Sequence, residues 1–164
     1  MNATAIVYTS GTGFTARYAA LLSERLALRA YSLEEAMKTL PAGTPVIYMG
    51  WLMAGSVVGC KKATKRFAIE AVIGVGLGDT GAQDDAARKA CKLPADVPVF
   101  TVQGGMDIVR LQGPYRIAIK LLTKAMAAKK NPTPADARMT ELLQKGGDYV
   151  SEKELTAVLA WAEQ

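Results

Sequence analysis

Thr9-Ser10-Gly11-Thr12-Gly13-Phe14-Thr15 stands between two runs of different periodicity. Before it, Ala5-Ile6-Val7-Tyr8 is continuously apolar and reads as a short buried strand. After it, Ala16-Arg17-Tyr18-Ala19-Ala20-Leu21-Leu22 reads as a helix. A strand, a tight loop of glycines and hydroxyls, and a helix form an anion-binding arrangement. The first amides of a helix have no intrahelical partner, and glycine lets the backbone come close to a ligand. The hydroxyls of Thr9, Ser10, Thr12 and Thr15 add donors without adding positive charge. These residues alone predict a phosphate cradle over 9–15.

Outward from this loop the chain alternates strand and helix. Strands are expected at 4–8, 29–32, 45–49, 68–73 and 97–102. Helices are expected at 13–28, 33–40, 56–67, 83–91, 114–130, 135–145 and from 152 onward. Ser32 with Glu35, and Ser151 with Glu154, have the spacing of capping boxes. The alternation implies an α/β, doubly wound parallel sheet with helices on both faces, in one domain spanning 1–164. Ligands of such sheets sit beyond the carboxyl ends of the strands. The loops expected there are 9–15, the apolar Gly50-Trp51-Leu52-Met53-Ala54-Gly55, Gly74-Val75-Gly76-Leu77-Gly78-Asp79 and Gln103-Gly104-Gly105-Met106-Asp107.

Composition narrows the chemistry. The 164 residues contain no histidine, which removes Ser-His-Asp and Cys-His nucleophilic sites and makes a zinc site improbable. The two cysteines, Cys60 and Cys91, form no CxxC, which suits a reducing, cytoplasmic compartment. No signal peptide is expected. Residues 39–60 carry no charge, but Pro41, Pro45 and four glycines interrupt them, so a buried strand is expected there rather than a membrane span.

The net charge is +5, and the cations cluster. No acid occurs between Ile108 and Lys130, where Arg110, Arg116, Lys120, Lys124, Lys129 and Lys130 fall. Arg116, Lys120 and Lys124 make one i,i+4 stripe, and Tyr115, Ile119, Leu122 and Met126 make an apolar stripe on another face. Two readings of helix 110–130 stay open. One is a core-packed helix with a solvated outer face; the other is peripheral docking on an anionic membrane or an acidic partner. No nucleic-acid partner is expected.

The ligand of the loop is narrowed by what the loop lacks. A Walker-A loop needs a Gly-Lys-Ser/Thr ending, and no lysine is present. A receiver domain needs acids after the first and third strands, where Thr9-Ser10 and Gly50-Trp51 stand. Gly11-x-Gly13-x-x-Ala16 does satisfy the dinucleotide fingerprint, with Glu34 or Glu35 about 20 residues on. An NAD(P)-binding module therefore stays in play. The four hydroxyls suit a terminal phosphate dianion better than a pyrophosphate, and an aromatic loop after the third strand suits a flat ring.

Ser10-Gly11-Thr12-Gly13-Phe14-Thr15 also matches the flavodoxin phosphate motif [ST]-x-T-G-x-T. Ile47-Tyr48-Met49-Gly50-Trp51 and Gly76-Leu77-Gly78-Asp79 resemble the second and third flavin loops. Gly104-Gly105-Met106-Asp107, the basic helix and Gly146-Gly147-Asp148-Tyr149-Val150-Ser151 resemble the flavodoxin branch related to menaquinone-dependent protoporphyrinogen oxidase. The resemblance implies a five-stranded parallel sheet in order 2-1-3-4-5 that binds FMN non-covalently. Residues 10–15, with Thr9, would hold the phosphate. Gly50, Trp51, Leu52, Met53 and Ala54 would border the isoalloxazine on one side, and Gly76, Leu77 and Gly78 on another, while Gly105 would help close the pocket. It implies electron transfer to a partner protein or a small acceptor, or an oxidoreductase acting on a quinone or protoporphyrinogen-like substrate. No catalytic acid or base and no metal ligand is identified. Two departures stand out. The chain is basic where carrier flavodoxins are acidic, and it is read as lacking the long insertion of many flavodoxin-like oxidases.

Overall fold

The computed structural model describes residues 1–164. Five parallel strands form the sheet: β1 (Ala5–Thr9), β2 (Arg29–Ser32), β3 (Pro45–Met53), β5 (Ala68–Gly76) and β6 (Val99–Gln103). Their spatial order is β2-β1-β3-β5-β6, which is 2-1-3-4-5 when only the parallel strands are counted. This is the doubly wound, flavodoxin-like α/β fold. A sixth strand, β4 (Ser56–Val57), pairs antiparallel with the end of β3.

Side chains of successive strand residues point to opposite faces, so each strand feeds two cores. On one face Val7, Val46, Tyr48 and Val72 pack against α2 (Leu33–Thr39), α3 (Cys60–Ala63) and α4 (Asp84–Cys91). On the other, Ile6, Ile47, Met49 and Ile73 pack against α1 (Phe14–Leu26) and α7 (Thr156–Ala162). Fully burying one such aliphatic side chain stabilises by about 1.5–3 kcal/mol, so the two cores outweigh every surface ion pair described below. Small residues on the helices, Ala36, Ala63 and Ala87, let them lie close to the sheet.

Four elements differ from expectation. The apolar run 50–55 is not an open loop: β3 continues through it to Met53 and turns back into β4. Ala54 (φ 48°) and Gly55 (φ 77°) are the two central residues of the hairpin. Positive φ at both positions gives the twist that joins antiparallel strands tightly. The helix expected over 56–67 shrinks to Cys60–Ala63, because Val57 belongs to the hairpin and Gly59 sits at φ 84°. Ser32 accepts a hydrogen bond from the Glu35 amide, but Glu35 does not return it; its carboxylate lies 3.7 Å from Arg29. Ser151 makes no side-chain cap; a 3-10 turn, Glu152–Leu155, precedes α7.

The largest difference lies between β6 and α7. Residues 104–149 form an added layer rather than a plain connection. It consists of β7 (Gly105–Met106), α5 (Gly113–Ala127), α6 (Pro134–Lys145) and β8 (Gly147–Asp148), with β7 and β8 paired. Its own small core joins Met106, Leu142 and Leu143 to Ile119, Met126 and Met139. Thr133 and Asp136 close a reciprocal capping box at the start of α6. The chain thus carries an insertion at this point. No helix is long and apolar enough to cross a membrane, and the uncharged stretch 39–60 is mostly β3 and its hairpin.

Candidate functional site

In the order 2-1-3, β1 is flanked by β2 and β3, and the connections leave in opposite directions. The crevice beyond the carboxyl ends of β1 and β3 is the topological switch point, where such sheets hold ligands. The hydroxyl-glycine loop lies there. Gly13 takes φ 104° and ends the loop as the N-cap of α1, a conformation that a side-chain-bearing residue adopts only with strain.

The amides of Gly11, Thr12, Gly13, Phe14 and Thr15 have no hydrogen-bond partner in the chain; pairing resumes at Ala16, which donates to Ser10 Oγ (3.3 Å), and at Arg17, which donates to the Gly13 carbonyl (3.1 Å). Five successive donors at a helix N-terminus form a concave positive nest. The hydroxyls of Thr12 and Thr15 are also uncommitted, although Thr15 is only 1% exposed. No carboxylate is free to oppose an anion. Asp148 is held by Arg17 at 2.5 Å and Asp107 by Arg110 at 3.4 Å. The Arg17 hydrogen bond keeps the Asp148 carboxyl below the usual carboxylate range.

Two predicted members of the cradle have other duties. Thr9 donates to Tyr48 Oη (2.8 Å), which in turn donates to the Val58 carbonyl (2.7 Å). This chain ties β1 to the β3–β4 hairpin, and burial drives the Tyr48 phenol strongly upward in pKa, so it stays a donor. The ring of Phe14 packs on Gly105, leaving only its amide for a ligand.

Side chains of the β3 extension divide between the two faces. The Trp51 indole covers Gly11: a Cβ there would stand 3.6 Å from its ring atoms. Its other neighbour is Tyr115 of α5, edge-on with ring centroids 5.2 Å apart. Trp51 and Tyr115, set edge to face, are therefore the aromatic groups beside the cradle. Leu52 points the opposite way, onto Gly74 and Gly76, so a side chain at either glycine would meet it. Gly50 likewise makes room, because a methyl on it would lie 2.5 Å from the Val58 carbonyl oxygen. Met53 is exposed and Ala54 occupies the hairpin tip. Gly78 approaches the Gln83 side chain, Leu77 packs into the core of the insertion, and Asp79 pairs with Arg138 of α6 at 3.2 Å.

The insertion closes the other side. Gly105 lies beside the hydroxyl-glycine loop, against the ring of Phe14. A cavity of about 520 Å³ opens between Thr12, Gly13 and Phe14 of the loop and Met106, Asp107 and Gly146 of the insertion. Arg17, Arg110 and Lys145 line it as well. Arg110 comes within 3.6 Å of the place a Cβ would take on Gly13. The layer is fastened to α1 by the Arg17–Asp148 ion pair, its two ends are joined by Tyr149 N–H to the Gly104 carbonyl (2.8 Å), and Tyr18 Oη donates to the Gln103 carbonyl just before it begins. Burial pushes the Tyr18 phenol up to about 12, so that last donor survives alkaline conditions.

Sequence reasoning missed Arg110, Arg17, Lys145 and Tyr115 as neighbours of the loop. The only available signal was the run of cations after Asp107, which says nothing about where the helix lies. The two cysteines fall in one buried cluster; burial raises the Cys60 thiol to about 12, which makes it unreactive. Comparison of the chain with family models, curated proteins and solved structures returned no match.

Proposed function

We propose that this chain is an FMN-binding redox protein that passes electrons between partners. The single observation that supports this most is the row of five unpaired amides at 11–15, joined by two free threonine hydroxyls, at the switch point of a 2-1-3-4-5 sheet. A phosphate monoester dianion has enough acceptor capacity to use all of them, and no competing carboxylate stands free there. Trp51 and Tyr115 offer the apolar aromatic surface that a tricyclic ring needs next to its phosphate. Bound flavin supplies one- and two-electron chemistry. The chain's own residues would hold the phosphate, cover the ring and keep water from it.

The dinucleotide reading is weaker for a local reason. A ribose-binding acid belongs at the end of β2, where Ser32 stands and caps α2. Glu34 and Glu35 lie inside α2 and face Lys38 and Arg29.

A second reading has an observation of its own. The cavity beside Thr12 is polar, lined by Arg17, Arg110 and Lys145, each paired with a carboxylate, and has room for a small substrate, which favours a flavin-dependent oxidoreductase over a carrier that meets only proteins. The two are separated by assay of the flavin-loaded protein. Turnover of a quinone or a porphyrinogen without a second protein supports the enzyme. Reduction that reaches acceptors only through a partner protein supports the carrier. Failure to bind FMN rejects both.

A further inference from the structure

Helix α5 has no buried residue along its whole length. Its inner seam is narrow. Ile119, Thr123 and Met126 are half-buried, with Ile119 and Met126 touching the core of the insertion, and the face beyond them is open. Sequence periodicity places Tyr115, Ile119, Leu122 and Met126 on one apolar stripe; Ile117 and Leu121, one turn apart and outside that stripe, point outward and are 63% and 64% exposed. Leu122 and Tyr115, about 100° or more round the helix from Leu121, are exposed as well, and the loop leading into the helix leaves Val109 91% exposed. At about 100° per residue, Arg116, Lys120 and Lys124 form the row beside Ile117 and Leu121. None of these three cations takes part in an ion pair, and no acid lies between Ile108 and Ala135.

We propose that the outer face of α5 docks on an anionic lipid surface. Aliphatic side chains bordered by a row of unpaired cations match a bilayer's apolar boundary bordered by negative headgroups. The lysine stems lie along the apolar surface while their ammonium groups reach the phosphates. The face is a single convex helix, which a fluid bilayer can accept. A second copy of this chain fits poorly, because a two-fold contact through this face sets like-charged rows against each other. Tyr115, which touches Trp51 of the candidate site, lies on a different side of α5 from Ile117 and Leu121. The docking itself rests on α5 alone and not on the flavin reading.

The test is sedimentation of the full chain with vesicles of phosphatidylcholine alone, or of equal parts phosphatidylcholine and phosphatidylglycerol. The protein is expected to pellet with the anionic vesicles only and to be released near 1 M salt, where the Debye length falls to about 3 Å. Ile117→Ser with Leu121→Ser, and separately Arg116→Gln with Lys120→Gln and Lys124→Gln, should each lower partitioning about tenfold or more. These positions are exposed, and unchanged far-UV circular dichroism verifies the fold of each variant. Wild-type protein that stays in the supernatant at low salt overturns the proposal, whether or not it captures an acidic protein or dimerises. Binding by the serine variant equal to wild type overturns it too, since the apolar contact is then absent.

Discussion

At the scale of single residues, the cradle divides into groups that face the crevice and groups that support it. Thr12 and the amides of 11–15 face it, while Thr9, Phe14 and Gly50 are spent on packing and on the Thr9–Tyr48–Val58 hydrogen-bond chain. Substitution should therefore act unequally along one motif. Thr12→Asp sets a carboxylate against a phosphate dianion and should weaken FMN binding at least about tenfold, read by titration of flavin fluorescence. An unchanged affinity would show that the loop does not hold the phosphate. Thr9→Val should instead cost stability with little effect on affinity for FMN, because it removes the donor to a buried phenol. Chemical denaturation of the apoprotein separates this effect from a loss of binding. Thr15 is a poorer probe, since its burial makes any larger side chain disruptive.

At the scale of elements, the β3–β4 hairpin is rigid for a reason a single substitution exposes. A methyl on Gly50 meets a backbone oxygen that cannot rotate away, so Gly50→Ala should destabilise the protein by roughly 1–3 kcal/mol in denaturant unfolding. An unaltered midpoint would mean that the hairpin can shift. The capping box of α6 has a pH signature. The hydrogen bond from Lys129 and those from Thr133 lower the Asp136 carboxyl to about 2. Its contribution is thus complete above the ordinary aspartate range near 4 and is lost as pH falls through about 2. Asp136→Asn should remove that step from an acid titration of helicity followed by circular dichroism. These elements also mark the limit of what the sequence reveals. The long strands were legible because each pairs a continuous apolar run with a helix of clear period. The hairpin was not, because Ala54 and Gly55 sit inside an apolar run and only their positive φ angles turn the chain. Strands β7 and β8 were not, because two residues show no period. Of the apolar stripe read on α5, Ile119 and Met126 pack inward, while Tyr115 and Leu122 stay exposed because α6 is the surface the helix meets broadly.

At the scale of the whole molecule, two cores hold the sheet and a third, smaller one holds the insertion over its carboxyl edge. Stability belongs to the first two. Leu22→Ala, fully buried between α1 and the sheet, should cost about 2–5 kcal/mol. Breaking the exposed Arg17–Asp148 pair should cost about 0–1 kcal/mol of global stability and show itself instead as a looser insertion in hydrogen exchange of β7 and β8. The hydroxyl-glycine loop at the switch point could be read from sequence because its residues are contiguous; the cations around it could not, because the insertion brings Arg110 and Lys145 there from far along the chain. The central claim is that this architecture holds FMN at residues 10–15. The most direct test is the visible spectrum of the purified protein after incubation with FMN and removal of free ligand. A flavin band that the protein retains, and that is released as free FMN on denaturation, is the expected result. Protein that stays colourless would contradict it.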